Sequence, residues 1–271
     1  MARSVPDSAP DLPPSSRGGA DTLLGIAMAQ GDYGISYQPI FDLKTGAIFA
    51  KEALLRPQTD SFAGPLEMVH AAVEEGRIGE FGRMLRDLAV AGCPDHALFI
   101  NAHPHELDQK WLVQPDDPVF QHGCEVFLEV TEGAPLRELK LSHGTVRELA
   151  RRGVNVVVDD LGAGYSNLRY LIDLDPKIVK LDRDMLRDIE QEPRVTRLLR
   201  GLVRMCEDLG SRVVAEGIET KEQLDAIKSA GVHYGQGYFL ERPSAVPFLA
   251  NQRASSKIPL RPSRKIPPYP R

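Results

Sequence analysis

Short apolar runs rich in β-branched residues recur along the chain, with amphipathic stretches between them. They span Ile35–Phe41, Ile48–Leu55, Ala97–Asn101, Val126–Val130, Val154–Asp159, Ile178–Asp182, Arg212–Ala215 and Tyr234–Phe239. Several, such as the Val-Asn-Val-Val-Val of residues 154–158, are almost continuously apolar, the pattern of strands covered on both faces. Helical periodicity runs over Pro65–Ala91, Leu136–Arg152, Val195–Leu209 and Lys221–Ala230. Strands alternating with helices predict an α/β fold, a TIM-like (β/α)8 barrel, and 271 residues suffice for the roughly 250 that such a barrel takes.

One connection breaks the alternation. Only Asp42-Leu-Lys-Thr-Gly-Ala47 joins the first two runs, a turn signal rather than a helix. A parallel neighbour needs a crossover of about a dozen residues. The first strand is therefore expected to run antiparallel to the others.

The barrel is expected over residues 22–250. Residues 1–21, with four prolines and little to bury, read as a disordered leader, and residues 251–271 as a Pro-rich basic tail with no acid. A leader so short reads as leaving a stand-alone barrel. The tail's charge leaves the body more acidic than the overall net of −5, which argues against a DNA or RNA partner. Cys93, Cys124 and Cys206 lie far apart without a CxxC pair, so neither a disulfide framework nor a zinc site is expected. No transmembrane segment or secretory signal is visible, and the expected location is cytoplasmic.

In such barrels chemistry sits where the strands end. Those positions carry Glu52, Asn101, Glu129, Asp159-Asp160, Lys180 and Asp182, Glu216 and Gln236. Carboxylates crowded into one mouth repel one another by several kcal/mol at low dielectric, and divalent cations relieve that repulsion. Oxygen donors of this kind suit Mg2+ or Mn2+. In the pair Asp159-Asp160, ending a strand before the turn Gly162-Ala-Gly164, one aspartate could bridge two ions while its neighbour binds the second. Two such ions clamp the attacking and leaving oxygens of a phosphodiester displacement, with Lys180 orienting the nucleophile or neutralising charge on the phosphate. From its residues alone the chain reads as a metal-dependent phosphodiesterase.

At these positions the sequence resembles the EAL family of cyclic di-GMP phosphodiesterases. The resemblance rests on Tyr37-Gln-Pro-Ile40, Lys51-Glu-Ala-Leu-Leu-Arg56, Ile100-Asn101, Leu128-Glu-Val-Thr-Glu132, Val158-Asp-Asp-Leu-Gly-Ala-Gly-Tyr-Ser-Asn-Leu168, Val179-Lys-Leu-Asp182, Ala215-Glu-Gly-Ile-Glu219 and Gln236-Gly-Tyr238, in the family order. It implies hydrolysis of cyclic di-GMP to linear pGpG with two Mg2+ or Mn2+ ions, one held by Glu52, Asn101, Glu129 and Asp159. Asp159, Asp160 and Glu216 would serve the second, with Glu216 acting through water or as a base. Lys180 would contact the nucleophilic water, and Gln236 and Asp182 would support the site. Gln38 and Arg56 match positions that hold guanine and phosphate, and Glu219 a substrate contact. Glu132 matches the anchor of the loop after strand five, through which the family couples metal binding to homodimerisation. The family fold, too, has a reversed first strand.

The chain departs from the family pattern at Leu161, Ala163 and Asn167, where Phe, Thr and Ser are usual, and at Pro57, where Trp is usual. Two other functions stay open: a cyclic di-GMP receptor that does not cut, and a protein-interaction module. Lys180 and Asp182 could also be a plain ion pair along one strand face, and His103-Pro-His105 reads as exposed loop.

Overall fold

A computed structural model of the chain describes residues 21–108, 111–131, 143–162 and 168–245. The expected leader, apart from Asp21, and the tail lie outside the described residues, as do Glu132, Ala163 and Asn167.

Helix α1 (Leu23–Gln30) precedes the hairpin β1 (Tyr33–Asp42) and β2 (Ile48–Pro57). Then follow α2 (Pro65–Glu74), α3 (Ile78–Gly92), β3 (Ala97–Asn101), α4 (Pro104–Asp108) and β4 (Val126–Thr131). The second half runs α5 (His143–Arg151), β5 (Val154–Leu161), α6 (Arg169–Leu174), β6 (Ile178–Leu181), α7 (Pro193–Asp208), β7 (Arg212–Ala215), α8 (Lys221–Ser229) and β8 (Tyr234–Gly235). Strands β2 to β8 lie side by side in chain order and parallel. Strand β1 closes the barrel, antiparallel to β2 from Tyr33↔Pro57 and to β8 at Phe41↔Gly235 and Asp42↔Tyr234. The short turn after Asp42 thus has the consequence expected of it. A short strand, β9 (Ser244–Ala245), pairs antiparallel with β1 at Ser36 and Tyr37, on the edge that also meets β8.

The interior is plugged by one residue from each barrel strand: Ile40, Ala50, Phe99, Phe127, Val157, Ile178, Val214 and Tyr234. Phe99 stacks on Phe127 with centroids 4.5 Å apart, and Phe49 on Tyr234 at 4.0 Å. Side chains alternate along a strand, so the residue two positions on also points inward, one layer nearer the mouth. Between sheet and helices a second, larger core buries Leu98, Leu128, Val156, Val179 and Val213, which is why these strands are apolar on both faces.

Two expected elements come out differently. The helix expected over Pro65–Ala91 divides into α2 and α3, because Gly76 between them adopts a left-handed φ of 68°. The expected strand Tyr234–Phe239 stops at Gly235: the chain swings to bond the loop after β7, Ile218 N–H donating to Gln236 O and Phe239 N–H to Ile218 O. Of the helix expected over Leu136–Arg152, His143–Arg151 is described. Helices α1, α4 and α6 were not anticipated; α1 is capped by Thr22, whose Oγ1 accepts from Gly25 N–H at 3.0 Å. No helix of the described residues is long and apolar enough to cross a membrane.

The β8 turn leaves no room for a side chain at Gly237, where a Cβ would fall 2.2 Å from the backbone N and O of Ile218. Gly237→Ala is expected to lower stability by about 2 kcal/mol or more in urea unfolding. Gly123→Ala, with open space around it, should stay within about 0.5 kcal/mol. Equal effects would mean that the close approach is not a constraint.

Candidate active site at the barrel mouth

Stepping two residues from each plug residue toward the mouth reaches Gln38, Glu52, Asn101, Glu129, Asp159, Lys180, Glu216 and Gln236. Every strand of the barrel therefore sends one polar side chain to the same layer, and the reversed β1 does so from its earlier residue. Above them opens a hollow of about 410 Å³ lined by Gln38, Glu52, Asn101, Asp159, Asp160, Lys180, Glu216, Glu219 and Gln236. Leu54, Arg183, Gly217, Gly237 and Tyr238 complete the lining.

Lys180 sits at the centre. Its Nζ lies 2.5 Å from Glu129 and from Glu216, 3.2 Å from Asp159 and 3.5 Å from Glu52. Gln236 Nε2 donates to Glu52 Oε2 at 2.6 Å, which holds that carboxylate in place. Burial alone would push the Lys180 ammonium down, but Asp159, Glu129, Glu216 and Glu52 outweigh it and hold it well above its usual value. Burial, aided by Glu52, drives Glu129 well above the ordinary carboxylate range although Lys180 opposes it. Burial likewise pushes Glu216 up to about 8, against Lys180 and with Asp159 and Glu52 adding to the rise.

Asp159 and Asp160 both reach the mouth, although the strand does not end between them. Strand β5 runs to Leu161, and its pairing with β6 shifts register between Val158 and Leu161. Asp160 takes a left-handed φ of 56° within this irregularity. A bulge turns consecutive side chains to one side, and strain of this kind in a non-glycine residue collects at functional sites. Ligand oxygens of Asp159, Asp160 and Glu216 come within 4.8 Å of one another.

The donor set suits hard divalent cations. Four carboxylates surround the one ammonium, with Asp160 beside them, so negative charge is in excess. Glu129 is fully buried and its Oε1 pairs with Lys180, but its Oε2 has no hydrogen-bond partner. An orphaned buried oxygen costs about 1–3 kcal/mol, and a cation would satisfy it. Asp159, Asp160 and Glu216 bring oxygen ligands together, and Glu52 and Asn101 line the same mouth.

Other expected residues fall elsewhere. Asp182 lies outside the lining; its carboxylate accepts from Asp184 N–H at 2.7 Å and caps the turn Arg183–Leu186. It is not among the partners of Lys180, so the simple ion pair along β6 does not form. Arg56 lines a neighbouring apolar hollow that shares Leu54 and Asn101 with the mouth, and it donates to its own Leu55 carbonyl. His105 is exposed and His103 half-buried. The sequence assigns no role to Arg183 or Tyr238, though Arg183 follows the motif residue Asp182 and Tyr238 closes the motif Gln236-Gly-Tyr238. Arg242 lies over the Tyr238 ring at 4.3 Å. The three cysteines are free thiols.

A pH dependence follows from this crowding. Without metal, folded Glu216 keeps its proton up to about pH 8, whereas an unperturbed glutamate loses it near 4.5. Across that window the folded state binds the extra proton, so stability falls as pH rises; Glu129 acts in the same sense. Lys180, raised as it is, contributes stability that is lost only at pH above its usual value of 10.5 and leaves this window unaffected. Chelator-treated protein should therefore melt lower at about pH 8 than at about pH 5.5, and Mn2+ should raise the melting temperature more at the higher pH. A metal response independent of pH would contradict this electrostatic account.

The EAL domain family model matches residues 24–243. The cyclic di-GMP phosphodiesterase NbdA of Pseudomonas aeruginosa is 30% identical over 245 residues, covering 84% of this chain and 31% of that protein. The probable cyclic di-GMP phosphodiesterase PdeB of Escherichia coli is 30% identical, covering 81% of this chain and 44% of its own. The chain thus spans less than half the length of these curated relatives. Among solved structures, Klebsiella pneumoniae BlrP1 in its manganese/cy-diGMP complex is 31% identical with a TM-score of 0.68, covering 78% of this chain and 56% of that one. The PaMucR phosphodiesterase in complex with c-di-GMP is 26% identical with a TM-score of 0.71, covering 81% and 94%. With its reversed first strand, its carboxylate-lined mouth and a family match across nearly all the described residues, this chain belongs to the EAL domain family.

Proposed function

We propose that this chain hydrolyses cyclic di-GMP to linear pGpG with two divalent cations, Mg2+ or Mn2+, bound at the barrel mouth. The observation that carries the reading is the ring of carboxylates around Lys180, with the orphaned Glu129 oxygen beneath an open hollow. The names of NbdA, PdeB and the BlrP1 complex support the same substrate.

Glu52, Asn101, Glu129 and Asp159 would hold one ion, and Asp159, Asp160 and Glu216 the other. When bound, the pair neutralises phosphate charge and makes water acidic enough to attack near neutral pH. The remaining work falls to the protein. The plug layer below the carboxylates closes the barrel floor. Lys180 donates to the attacking water and fixes its direction. Glu216, partly exposed at the mouth, takes the water's proton. The water oxygen bonds to phosphorus as the bond to the 3′ oxygen breaks, and the departing oxygen leaves as a hydroxyl with a proton from solvent. Gln236 keeps Glu52 aligned through its 2.6 Å hydrogen bond. Gln38, Glu219 and Tyr238 line the rim where the bases would lie.

The direct test is chromatography of cyclic di-GMP incubated with purified protein and Mg2+ or Mn2+. Wild type should form pGpG, and Glu52→Gln and Lys180→Ala should each lose at least about a hundredfold in kcat while keeping their fold. Intact dinucleotide from folded wild type would end the enzyme reading. Measured binding of the uncut dinucleotide would then separate a receptor from a protein-interaction module.

A further inference from the structure

Beside the mouth, α3 and α4 enclose a second ionic cluster that the chemistry above does not use. Arg86, Glu106 and Asp117 are all essentially inaccessible to solvent. The Arg86 guanidinium meets Glu106 Oε2 at 2.5 Å through Nη1, and Asp117 at 2.9 Å through Nη2 and 3.1 Å through Nε. Helix α3 has a glycine opposite this contact: a Cβ at Gly82 would fall 2.3 Å from Glu106 Oε2. Three buried charges are seldom more stabilising than apolar packing, but they hold a carboxylate in one direction.

That direction matters because of what Glu106 does with its other oxygen. Oε1 accepts from His103 N–H at 3.1 Å, and Glu106 N–H donates to His103 O at 2.9 Å, so the pair closes the corner between β3 and α4. Just before it, Ala102 N–H donates to Glu129 O at 2.9 Å. Asn101 is the last residue of β3 and lies two positions from the clamp. Among the described residues no hydrogen bond from a neighbour orients its amide, which lines the mouth. Its aim therefore depends on the backbone of this corner.

We propose that Glu106, held by Arg86 and Asp117, is a positioning residue that aims Asn101 at the divalent-cation site. The proposal rests on the metal-binding reading of the mouth but not on hydrolysis. Partners one shell behind a ligand commonly govern metal affinity by about ten- to a hundredfold.

The test is Mn2+ binding by the full chain without substrate, followed by electron paramagnetic resonance of the free ion. Glu106→Gln should raise the Mn2+ dissociation constant about tenfold or more. Ile227→Ala, a fully buried change on the distant α8, should lower the melting temperature yet leave Mn2+ affinity at the wild-type value. Combined with Asn101→Ala, Glu106→Gln should add nothing further, because both act through one ligand. Wild-type Mn2+ affinity in folded Glu106→Gln overturns the proposal, as does additive weakening in the double variant or failure of the wild type to take up Mn2+. Should Glu106→Gln not fold, Arg86→Lys, which keeps the charge but loses the bidentate grip, replaces it in the same comparison. Since no turnover is measured, weakened Mn2+ uptake supports the proposal even in a protein that cuts nothing.

Discussion

The contact on which this structure turns is the burial of Lys180 among Glu52, Glu129, Asp159 and Glu216. Burial, with neighbouring carboxylates adding to it, raises the proton affinity of Glu129 and Glu216 by more than one ammonium can offset. On the proposed reading, the same crowding would make the site receptive to cations and, with them bound, to phosphates that an acidic surface would otherwise repel. A folded barrel is needed to sustain it. Glu52 and Gln236 stand 184 residues apart in sequence and meet at 2.6 Å because the sheet closes.

The two layers of the interior divide the labour. The apolar plug carries packing and two aromatic stacks, and the polar layer above carries chemistry. Both are written with the same period of two, so a slip of one residue in any strand would bury its site residue against the helices. Packing thereby enforces the register of the site.

Much of this is legible in the sequence because strands announce their ends. The apolar runs place Glu52, Asn101, Glu129, Lys180 and Glu216 at corresponding heights, and the short turn after Asp42 reveals the reversed strand. Gln38 is harder, since its direction of approach is inverted; only the family resemblance picked it out. The Asp159-Asp160 pair was recognised, but its cause was not: a bulge with left-handed Asp160 leaves no mark in composition, because aspartate tolerates that conformation. Arg86 is invisible for the opposite reason. An arginine between Leu85 and Asp87 on an amphipathic helix reads as a surface residue, and only the packing of α4 shows it buried. Strand β8 was overextended because the apolar pattern through Phe239 continues after its ladder partner has ended.

The closure of the barrel has a mechanical consequence. Hairpin partners β1 and β2 share nine register pairs, whereas β1 meets β8 at only two. The barrel thus has a seam, and the seam runs beside the mouth. Across it Gln38 Nε2 donates to Glu241 O at 3.2 Å, joining the start of the chain's sheet to its last turn. Gln38 also lines the hollow, so a guest that grips this side chain laces the two edges together. A ligand that filled the mouth would thereby also fasten the cylinder.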